Sequence, residues 1–392
     1  MTSVKLLHTS DWHLGRSLIQ ADLLPAQRAF LDWLVDLAVG ERVDAVLVAG
    51  DVYDRSVPSA EAMTALEGAL VALSEAAIPL VLISGNHDSP TRLGFGSRLH
   101  ERAGIHLRTH VATLDQPVVL SDSHGEVAVY GVPYLMPDAV REELGAERSH
   151  ESVLSAATQR ILADAKSRGI TRTVALAHAF VTGGQASESE RDIRVGGIGD
   201  APARVFDGLS YVALGHLHGP QEVALAGSAT VLRYSGSPVA YSFSERDHTK
   251  SVALVELGGD GVTAVRCVAT PVARPLREVR GTLEDLLARA EGELAELADC
   301  YVKVVLTDQV RPLLPMEQLR RHWPHTLELG YEPHGGLVDP ASDLARLERV
   351  RDDPVAVCGQ FVEFVGGAAP NPEEQRVLRD TIEAAESAAV VA

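Results

Sequence analysis

The chain has 392 residues, of which 46% are hydrophobic and 23% charged, and its formal net charge is −19. A chain of this length usually folds into more than one domain, and no apolar run approaches the length of a transmembrane helix. The acidic excess is spread along the chain, which argues against a protein that binds nucleic acid non-specifically through its own basic surface.

The first predicted strand, at 4–10, follows directly on the opening residues. No secretory signal pattern precedes that strand. The three cysteines, Cys267, Cys300 and Cys358, are odd in number and far apart. We therefore expect a cytoplasmic protein with no membrane association, whose thiols are reduced and buried rather than joined in a disulfide or bound to zinc.

Strands and helices alternate through the first 84 residues. Apolar strands are predicted at 4–10, 44–49 and 78–84, with amphipathic helices between them at about 25–39 and 59–76. In the second helix, Met63, Leu66 and Leu73 are predicted to face the core. A β-α-β-α-β order predicts a parallel sheet with right-handed crossovers.

Shorter apolar runs follow this parallel part. Strands are predicted at 105–109, 117–120, 126–132, 173–177, 211–214, 231–235, 251–257 and 262–269, with a long helix at about 149–167. The aperiodic segment 182–200 predicts a mobile loop. Two sheets that carry polar residues to one edge predict an α/β (α+β) domain at 1–271, a two-sheet β-sandwich flanked by helices.

The pattern changes after residue 271. Strands at 277–281, 301–307 and 326–332, with helices at 282–298 and about 315–321, predict a small α+β cap domain at 272–345. Two amphipathic helices between 352 and 388 predict a helical tail at 346–392. The apolar stripe on these helices either packs on the chain's own core or docks a partner helix, and the sequence leaves both interpretations open.

Five of the predicted strands end in Asp, Asn or His. The motifs are DWH at 11–13, GD at 50–51, GNHD at 85–88, His178, and GHLH at 215–218. Open α/β folds bind ligands at the carboxyl ends of their strands, and carboxylate, amide and imidazole groups suit divalent metals. Each motif alone is common, but together they predict a two-metal site in which a central carboxylate, Asp51, can bridge the ions.

These motifs resemble those of the calcineurin-like metallophosphoesterases. A finer resemblance, to the SbcD family of bacterial nuclease subunits, lies in HTSDWHLG at 8–15, GNHDSP at 85–90, GHLHGPQ at 215–221, YSGSP at 234–238 and SFSE at 242–245. It extends over essentially the whole chain. The resemblance implies one metal held by Asp11, His13, Asp51 and His218, a second held by Asp51, Asn86, His178 and His216, and His87 as a catalytic imidazole that binds no metal.

The same resemblance implies a reaction and partners. The cofactor that it implies for this protein is a pair of Mn²⁺ ions, and a site of this composition would also accept zinc or iron. It implies 3′-to-5′ exonuclease action on double-stranded DNA and endonuclease action on hairpins and single strands, in DNA end processing, repair and recombination. It also implies a homodimer within a heterotetramer, whose SbcC-type coiled-coil ATPase binds the tail and supplies much of the DNA-binding surface.

Some relatives carry His where this chain has Asp54, so a second catalytic imidazole is not expected here. Asp54 is predicted to orient a metal ligand, with a solvated loop acid as the alternative. Candidate contacts to the DNA backbone are Arg92, Arg98, Arg191 and Arg194, with ordinary solvated arginines as the alternative.

Two other functions use the same residues. A phosphatase or cyclic-nucleotide phosphodiesterase would need the same metal ligands, but it has no evident use for the cap and the tail. A non-catalytic scaffold that binds a partner would tolerate the loss of ligands, yet all seven ligand positions are present. These features favour the nuclease.

Overall fold

The computed structural model describes residues 3–190, 200–271, 274–332, 353–366 and 369–391. The chain divides into two compact units, Met1–Ala273 and Arg274–Ala392. Arg191 and Arg194, and the predicted boundary between cap and tail at 345–346, lie outside the described residues.

The strands of the described part, in chain order, are β1 (Val4–Thr9), β2 (Ser17–Leu18), β3 (Ala21–Asp22), β4 (Ala45–Ala49), β5 (Leu80–Ile83), β6 (Ile105–Arg108), β7 (Val118–Asp122), β8 (Gly125–Val132), β9 (Arg172–His178), β10 (Tyr211–Gly215), β11 (Gln221–Val223), β12 (Val231–Tyr234), β13 (Ser251–Gly258), β14 (Gly261–Ala269), β15 (Leu276–Gly281), β16 (Tyr301–Leu306) and β17 (Thr326–Tyr331).

The helices are α1 (Leu24–Glu41), α2 (Ala60–Glu75), α3 (Pro90–Leu93), α4 (Ser97–His100), α5 (Pro137–Leu144), α6 (His150–Arg168), α7 (Leu283–Arg289) and α8 (Pro315–His322). Two further helices, Pro354–Gly366 and Pro372–Val391, follow, and we call them the C-terminal helix pair.

Two six-stranded sheets form the first unit. One has the order β14-β13-β1-β4-β5-β6 and the other β11-β12-β10-β9-β8-β7. Leu6, Leu47 and Val81 of the first sheet share a buried core with Val174 and Tyr211 of the second. Helices cover the outer faces, because α1 and α2 pack on the first sheet and α6 packs on the second. The predicted two-sheet sandwich flanked by helices is confirmed.

A buried ion pair joins the two sheets at the end where β1 and β9 begin. Arg172 donates two hydrogen bonds to Asp122, at 2.9 and 2.8 Å, and a third to the carbonyl oxygen of Gly258 at 3.3 Å. Asp122 also accepts the backbone N–H of Val4 at 3.0 Å. Both charges are therefore compensated, and the carboxyl ends of β1 and β9 emerge together at the opposite edge of the sandwich.

Helix α2 differs from its predicted orientation at one residue. Met63, expected to face the core, is 54% exposed. The buried face of the helix consists of Ala62, Ala65, Leu66, Ala69 and Leu73. The small alanines bring the helix close to the sheet, and Met63 lies to one side of that contact.

Three other expectations need correction. The three cysteines are free, but of the expected buried thiols Cys267 is exposed and Cys358 is half-buried. The helix predicted at 282–298 is α7, which ends at Arg289, followed by a 3₁₀ turn at Ala295–Asp299. The hairpin β2–β3 and helix α5 were not predicted from the sequence.

The second unit contains a parallel sheet, β15-β16-β17. Val302, Val304 and Trp323 lie in its core with Leu286 of α7. The second helix of the C-terminal pair is capped by Asn371, whose Oδ1 accepts the N–H groups of Glu373 and Glu374, both at 3.0 Å.

Two large apolar side chains of the C-terminal helix pair, Phe361 and Val377, are exposed. Among the side chains of the pair that the structure describes, none is buried. Phe361 is 64% exposed. The choice between packing on the chain's own core and docking of a partner helix stays open.

Candidate metal centre

The loops that carry the predicted ligands have unusual backbone conformations. Asp11, His13, Asp51 and His216 have positive φ angles of 54°, 42°, 48° and 107°. Residues with a Cβ rarely adopt this region, and such strain is concentrated at functional sites. Backbone hydrogen bonds between the loops hold these conformations in place. Asp11 N–H donates to the carbonyl oxygen of Gly50 at 3.0 Å, and His13 N–H donates to that of Asp51 at 2.9 Å.

Two glycines allow the loops to approach one another. A Cβ on Gly85 would lie 2.1 Å from Asp51 Oδ1, and one on Gly215 would lie 1.9 Å from the carbonyl oxygen of Ala49. Both distances are far inside van der Waals contact. The glycines of the GNHD and GHLH motifs are therefore needed for close packing around the site.

The first cluster of candidate ligands comprises Asp11, His13 and His218, all buried, with ligand atoms within 4.8 Å of one another. His13 Nε2 lies 3.1 Å from His218 Nε2. Ligand atoms bound to one ion at about 2.0–2.2 Å lie roughly 3 Å apart. The spacing of the two imidazoles therefore fits a shared metal ion.

The second cluster comprises Asp51, His178 and His216, which are also buried and within the same 4.8 Å limit. Asn86 Oδ1 lies 3.0 Å from His178 Nε2 and 3.2 Å from His216 Nδ1. The amide oxygen thus completes a second set of convergent donors.

Asp51 lies between the two clusters. Its Oδ2 is 3.6 Å from His13 Nε2 and 3.5 Å from His178 Nε2. Its Oδ1 accepts the backbone N–H of His87 at 2.9 Å. One oxygen of Asp51 can therefore contribute to both clusters, while the other holds the loop that carries His87.

Burial and neighbouring charges set the ionisation of these ligands. Burial opposes ionisation of Asp51, but His178 and His13 hold its pKa well below the usual range. Burial would lower the pKa of His178, yet the Asp51 carboxylate raises it to about 9. Burial lowers the pKa of His216 to about 3 and that of His13 well below its ordinary value. At neutral pH, His13 and His216 can bind metal at once, whereas His178 must first lose a proton.

His87 is placed by the backbone of Asp54. Its Nδ1 donates to the carbonyl oxygen of Asp54 at 2.7 Å, and its Nε2 lies 4.0 Å from Asp51 Oδ2. The Asp54 carboxylate is 3.8 Å from His13 Nδ1 and 3.9 Å from His87 Nδ1, beyond hydrogen-bond distance. Asp54 thus contacts the site mainly through its main chain. Its side chain forms a third group of possible donors with His13 and His87, but that group overlaps the first cluster.

Asp88, the last residue of the GNHD motif, links two metal loops. Its buried carboxylate accepts the N–H groups of Gly85, Val52 and Tyr53 at 2.9, 3.1 and 2.9 Å. Burial and the nearby Asp51 raise the pKa of Asp88 to about 7. Sequence reasoning assigned this residue no role, although its place in the motif was a signal.

Gln27 is a second residue that sequence reasoning missed. Its amide donates to the carbonyl oxygens of Trp12 and His13, at 3.2 and 2.8 Å, and accepts the N–H of Gly15 at 2.9 Å. It is almost fully buried on α1. A buried amide on an apolar helix face was the available signal, and it fixes the loop of the first cluster.

Two of the candidate DNA contacts, Arg92 and Arg98, lie within the described residues. Arg92 and Arg98 are exposed, and Arg92 Nη1 donates to the carbonyl of Ser56 at 3.2 Å. Both side chains are accessible to a ligand.

Within the described residues, no helix combines the length and the apolar character needed to span a membrane.

Comparison with known families agrees with this geometry. The family model of calcineurin-like phosphoesterases matches residues 4–220. A second model, described as the type 5 capsule protein repressor C-terminal domain, matches residues 272–357. The SbcD subunit of the nuclease SbcCD from Staphylococcus saprophyticus is 31% identical over 332 residues, which cover 83% of this chain and 84% of that protein.

Solved structures give weaker matches. TT1561 of Thermus thermophilus is 15% identical, with a TM-score of 0.41 over 68% of this chain and 99% of that one. The calcineurin-like phosphoesterase YfkN of Bacillus subtilis is 12% identical, with a TM-score of 0.38 over 68% of this chain and 90% of that one. Scores of this size add nothing to the assignment, which depends on the sequence matches. The chain belongs to the calcineurin-like phosphoesterases and, within them, to the SbcD family of nuclease subunits.

Proposed function

We propose that this protein is a Mn²⁺-dependent DNA nuclease that hydrolyses phosphodiester bonds at a two-metal centre. The observation that carries the proposal is the position of Asp51 Oδ2, 3.6 Å from His13 Nε2 and 3.5 Å from His178 Nε2. Two-metal hydrolases hold their ions about 3.5–4 Å apart, and a shared carboxylate oxygen suits that separation.

The chain's own residues have distinct tasks in this reaction. Two bound ions would activate a water molecule and neutralise charge on the phosphate. His87 Nδ1 donates to the Asp54 carbonyl, and Nε2, 4.0 Å from Asp51 Oδ2, is the atom that we assign to the substrate. In its protonated form His87 also carries a hydrogen on Nε2, and we assign this form the stabilisation of charge on the phosphate and the protonation of the leaving oxygen.

The proposed substrates are double-stranded ends, cut from 3′ to 5′, and hairpins or single strands, cut internally. Arg92 and Arg98 are exposed and are proposed contacts to the DNA backbone, as are Arg191 and Arg194. Because the chain has a net charge of −19, much of the DNA affinity is assigned to a partner. We place this activity in the cytoplasm, in DNA repair and recombination.

That partner is proposed to be an SbcC-type coiled-coil ATPase. The domains of this proposal are the nuclease at 1–271, the cap at 272–345 and the tail at 346–392. Support comes from the C-terminal helix pair, on which Phe361 and Val377 are 64% and 56% exposed. Ending the chain at residue 352 should abolish capture of the purified ATPase and leave Mn²⁺ binding intact. Retained capture would contradict the assignment.

A second copy of the chain is proposed to cover another apolar surface. An open groove of about 740 Å³ between α2 and α3 is lined by Met63, Val71 and Phe95, and Phe95 is 84% exposed. Exposed apolar patches of this kind mark protein interfaces. Phe95→Glu should convert a dimer into a monomer in light scattering, whereas Val119→Glu, on strand β7, should not. Equal masses for the two variants would contradict this placement.

The substrate is tested by comparing reactions in Mn²⁺. Wild-type protein and Asp51→Asn would be given end-labelled linear and hairpin DNA, p-nitrophenyl phosphate and cyclic nucleotides. We expect wild type to cut DNA and Asp51→Asn to be inactive. Hydrolysis of the small phosphate esters with intact DNA would instead identify a phosphatase or cyclic-nucleotide phosphodiesterase. If every substrate is unchanged even with the ATPase present, the protein is a scaffold.

A further inference from the structure

Residues 187–190, which we call the 187–190 segment, contact a candidate metal ligand directly. Ser189 Oγ lies 2.6 Å from His218 Nδ1. Glu190 Oε1 accepts the backbone N–H of His218 at 2.7 Å. This segment lies within the region 182–200 that the sequence predicted to be a mobile loop; its described part has no helix or strand, and its mobility stays a prediction.

The segment is fixed at several points. Arg16 Nη2 donates to the carbonyl oxygen of Ser189 at 2.7 Å, which ties the segment to the loop of Asp11 and His13. The N–H of Glu188 donates to Ser244 Oγ at 3.2 Å. Within the segment, the N–H and the hydroxyl of Ser187 both donate to Glu190 Oε2 at 2.7 Å.

Behind this segment lies a buried ion pair. Glu245 bonds to Lys250 and to Ser189 Oγ, and its Oε1 is 3.3 Å from His218 Nδ1. Lys250 Nζ also donates to the carbonyl oxygen of His218 at 2.9 Å. Both charges are buried, and a buried pair is retained only where its geometry is well satisfied.

These contacts determine which nitrogen of His218 can bind metal. With Ser189 Oγ and the Glu245 carboxylate beside it, Nδ1 carries the hydrogen, and Nε2 keeps its lone pair. Nε2 is the atom that faces His13 Nε2 at 3.1 Å. Carboxylate partners of this kind fix the ring of a metal-bound histidine, and their loss typically weakens metal affinity 10–100-fold.

We propose that Ser189, Glu190 and Glu245 are positioning residues that set the metal affinity of the first cluster and leave the second cluster unaffected. This inference rests on the proposed two-metal centre. The three residues contact His218 through their side chains. In the second cluster, by contrast, His178 Nδ1 donates to the main-chain carbonyl oxygen of Ala49 at 2.9 Å.

The test is titration of the metal-free full chain with Mn²⁺, by calorimetry and by electron paramagnetic resonance. Ser189→Ala should weaken one of the two bound ions about tenfold, and the double variant Ser189→Ala/Glu245→Gln should weaken it about 100-fold. The coupled two-ion spectrum should fade in parallel. Ser189→Thr, which keeps the hydroxyl, should restore the affinity.

Two comparisons keep this test decisive. Ser228→Ala removes a hydroxyl that bonds to the exposed Asp207 and should leave both affinities unchanged. Glu190→Gln keeps the shape of the side chain and should weaken binding of the same single ion. It replaces Ser189→Ala if thermal unfolding shows that Ser189→Ala is unstable. Unchanged binding of both ions, or equal weakening of both in a folded variant, would overturn the inference.

This outcome is separable from the proposed function, because the titration contains no DNA. If wild type binds two ions but does not cut DNA, the nuclease proposal fails and the titrations still decide the role of the 187–190 segment. If wild type cuts DNA and the variants bind both ions normally, only the inference about the segment fails.

Discussion

The two clusters share Asp51 but are supported in different ways. His178 ends strand β9 and is held by the main-chain oxygen of Ala49 on β4. His218 lies in the loop after β10 and is held by the side chains of Ser189 and Glu245. His178 is thus fixed by the packing of the two sheets, and His218 depends on side-chain contacts between loops.

This difference teaches where the centre can be altered. A main-chain partner cannot be removed by substitution, so the ring of His178 should keep its position in most variants that keep the fold. A side-chain partner can be removed one group at a time, so the first cluster can be weakened in steps. Substitutions and changes of pH should therefore alter the metal affinities of the two clusters by different amounts.

Asp51→Asn should have the largest effect, because it alters the one group that both clusters share. The asparagine amide carries no negative charge, so it cannot bridge two metal ions as a carboxylate does. We expect Mn²⁺ binding to fall at both positions and DNA cleavage to drop by more than about a thousandfold. Calorimetric titration measures the binding, and retention of one tight ion would show that Asp51 belongs to a single cluster.

His87→Gln should separate chemistry from metal binding. Since His87 is assigned a proton-transfer role without binding metal, its loss should lower the cleavage rate about 10²–10⁴-fold while two Mn²⁺ ions remain bound. His124→Gln, at an exposed position, is the matched control and should cleave normally. Loss of an ion in His87→Gln would make the imidazole a ligand instead.

The pH dependence of metal binding should distinguish the clusters. The pKa of His178 is raised to about 9 by Asp51 against the effect of burial, so below that pH a proton competes with the metal. Affinity of one ion should therefore rise about tenfold per pH unit from 7 towards 9 and then level off. The other ion should show no such rise from His13, whose pKa burial lowers well below the ordinary value. A parallel rise at both ions would contradict the assignment.

Asp54→Asn should have the smallest effect. The Asp54 carboxylate is 21% exposed and lies 3.8 Å from His13 Nδ1, whereas the main-chain carbonyl that holds His87 is kept in the variant. Partly exposed charge contacts contribute about 1 kcal/mol or less, so cleavage should fall less than about fivefold. A loss as large as that of His87→Gln would assign the carboxylate a direct role.

Much of the centre was predictable because its signals are local. An apolar strand followed by Asp, Asn or His marks a sheet edge within a few residues, as with Asp51 after β4 and His178 at the end of β9. The sandwich followed from the same runs, since strands buried on both faces are almost wholly apolar.

The supporting residues were not predictable in this way. Ser189 and Glu245 are 56 positions apart, and a hydrogen bond between distant residues leaves no periodic trace in one sequence. The 187–190 segment is polar and aperiodic, so local pattern predicts a mobile loop. Met63 was predicted to be buried and is exposed. The helical period identifies the apolar face of a helix but not which residues of that face reach the sheet. The division between cap and tail stays a prediction.

Anomalous scattering at the manganese edge, from crystals grown with Mn²⁺, tests the central claim most directly. We predict two peaks about 3.5–4 Å apart, one among Asp11, His13 and His218, the other among Asn86, His178 and His216, with Asp51 Oδ2 between them. A single peak, or two peaks that do not share Asp51, would contradict the two-metal centre.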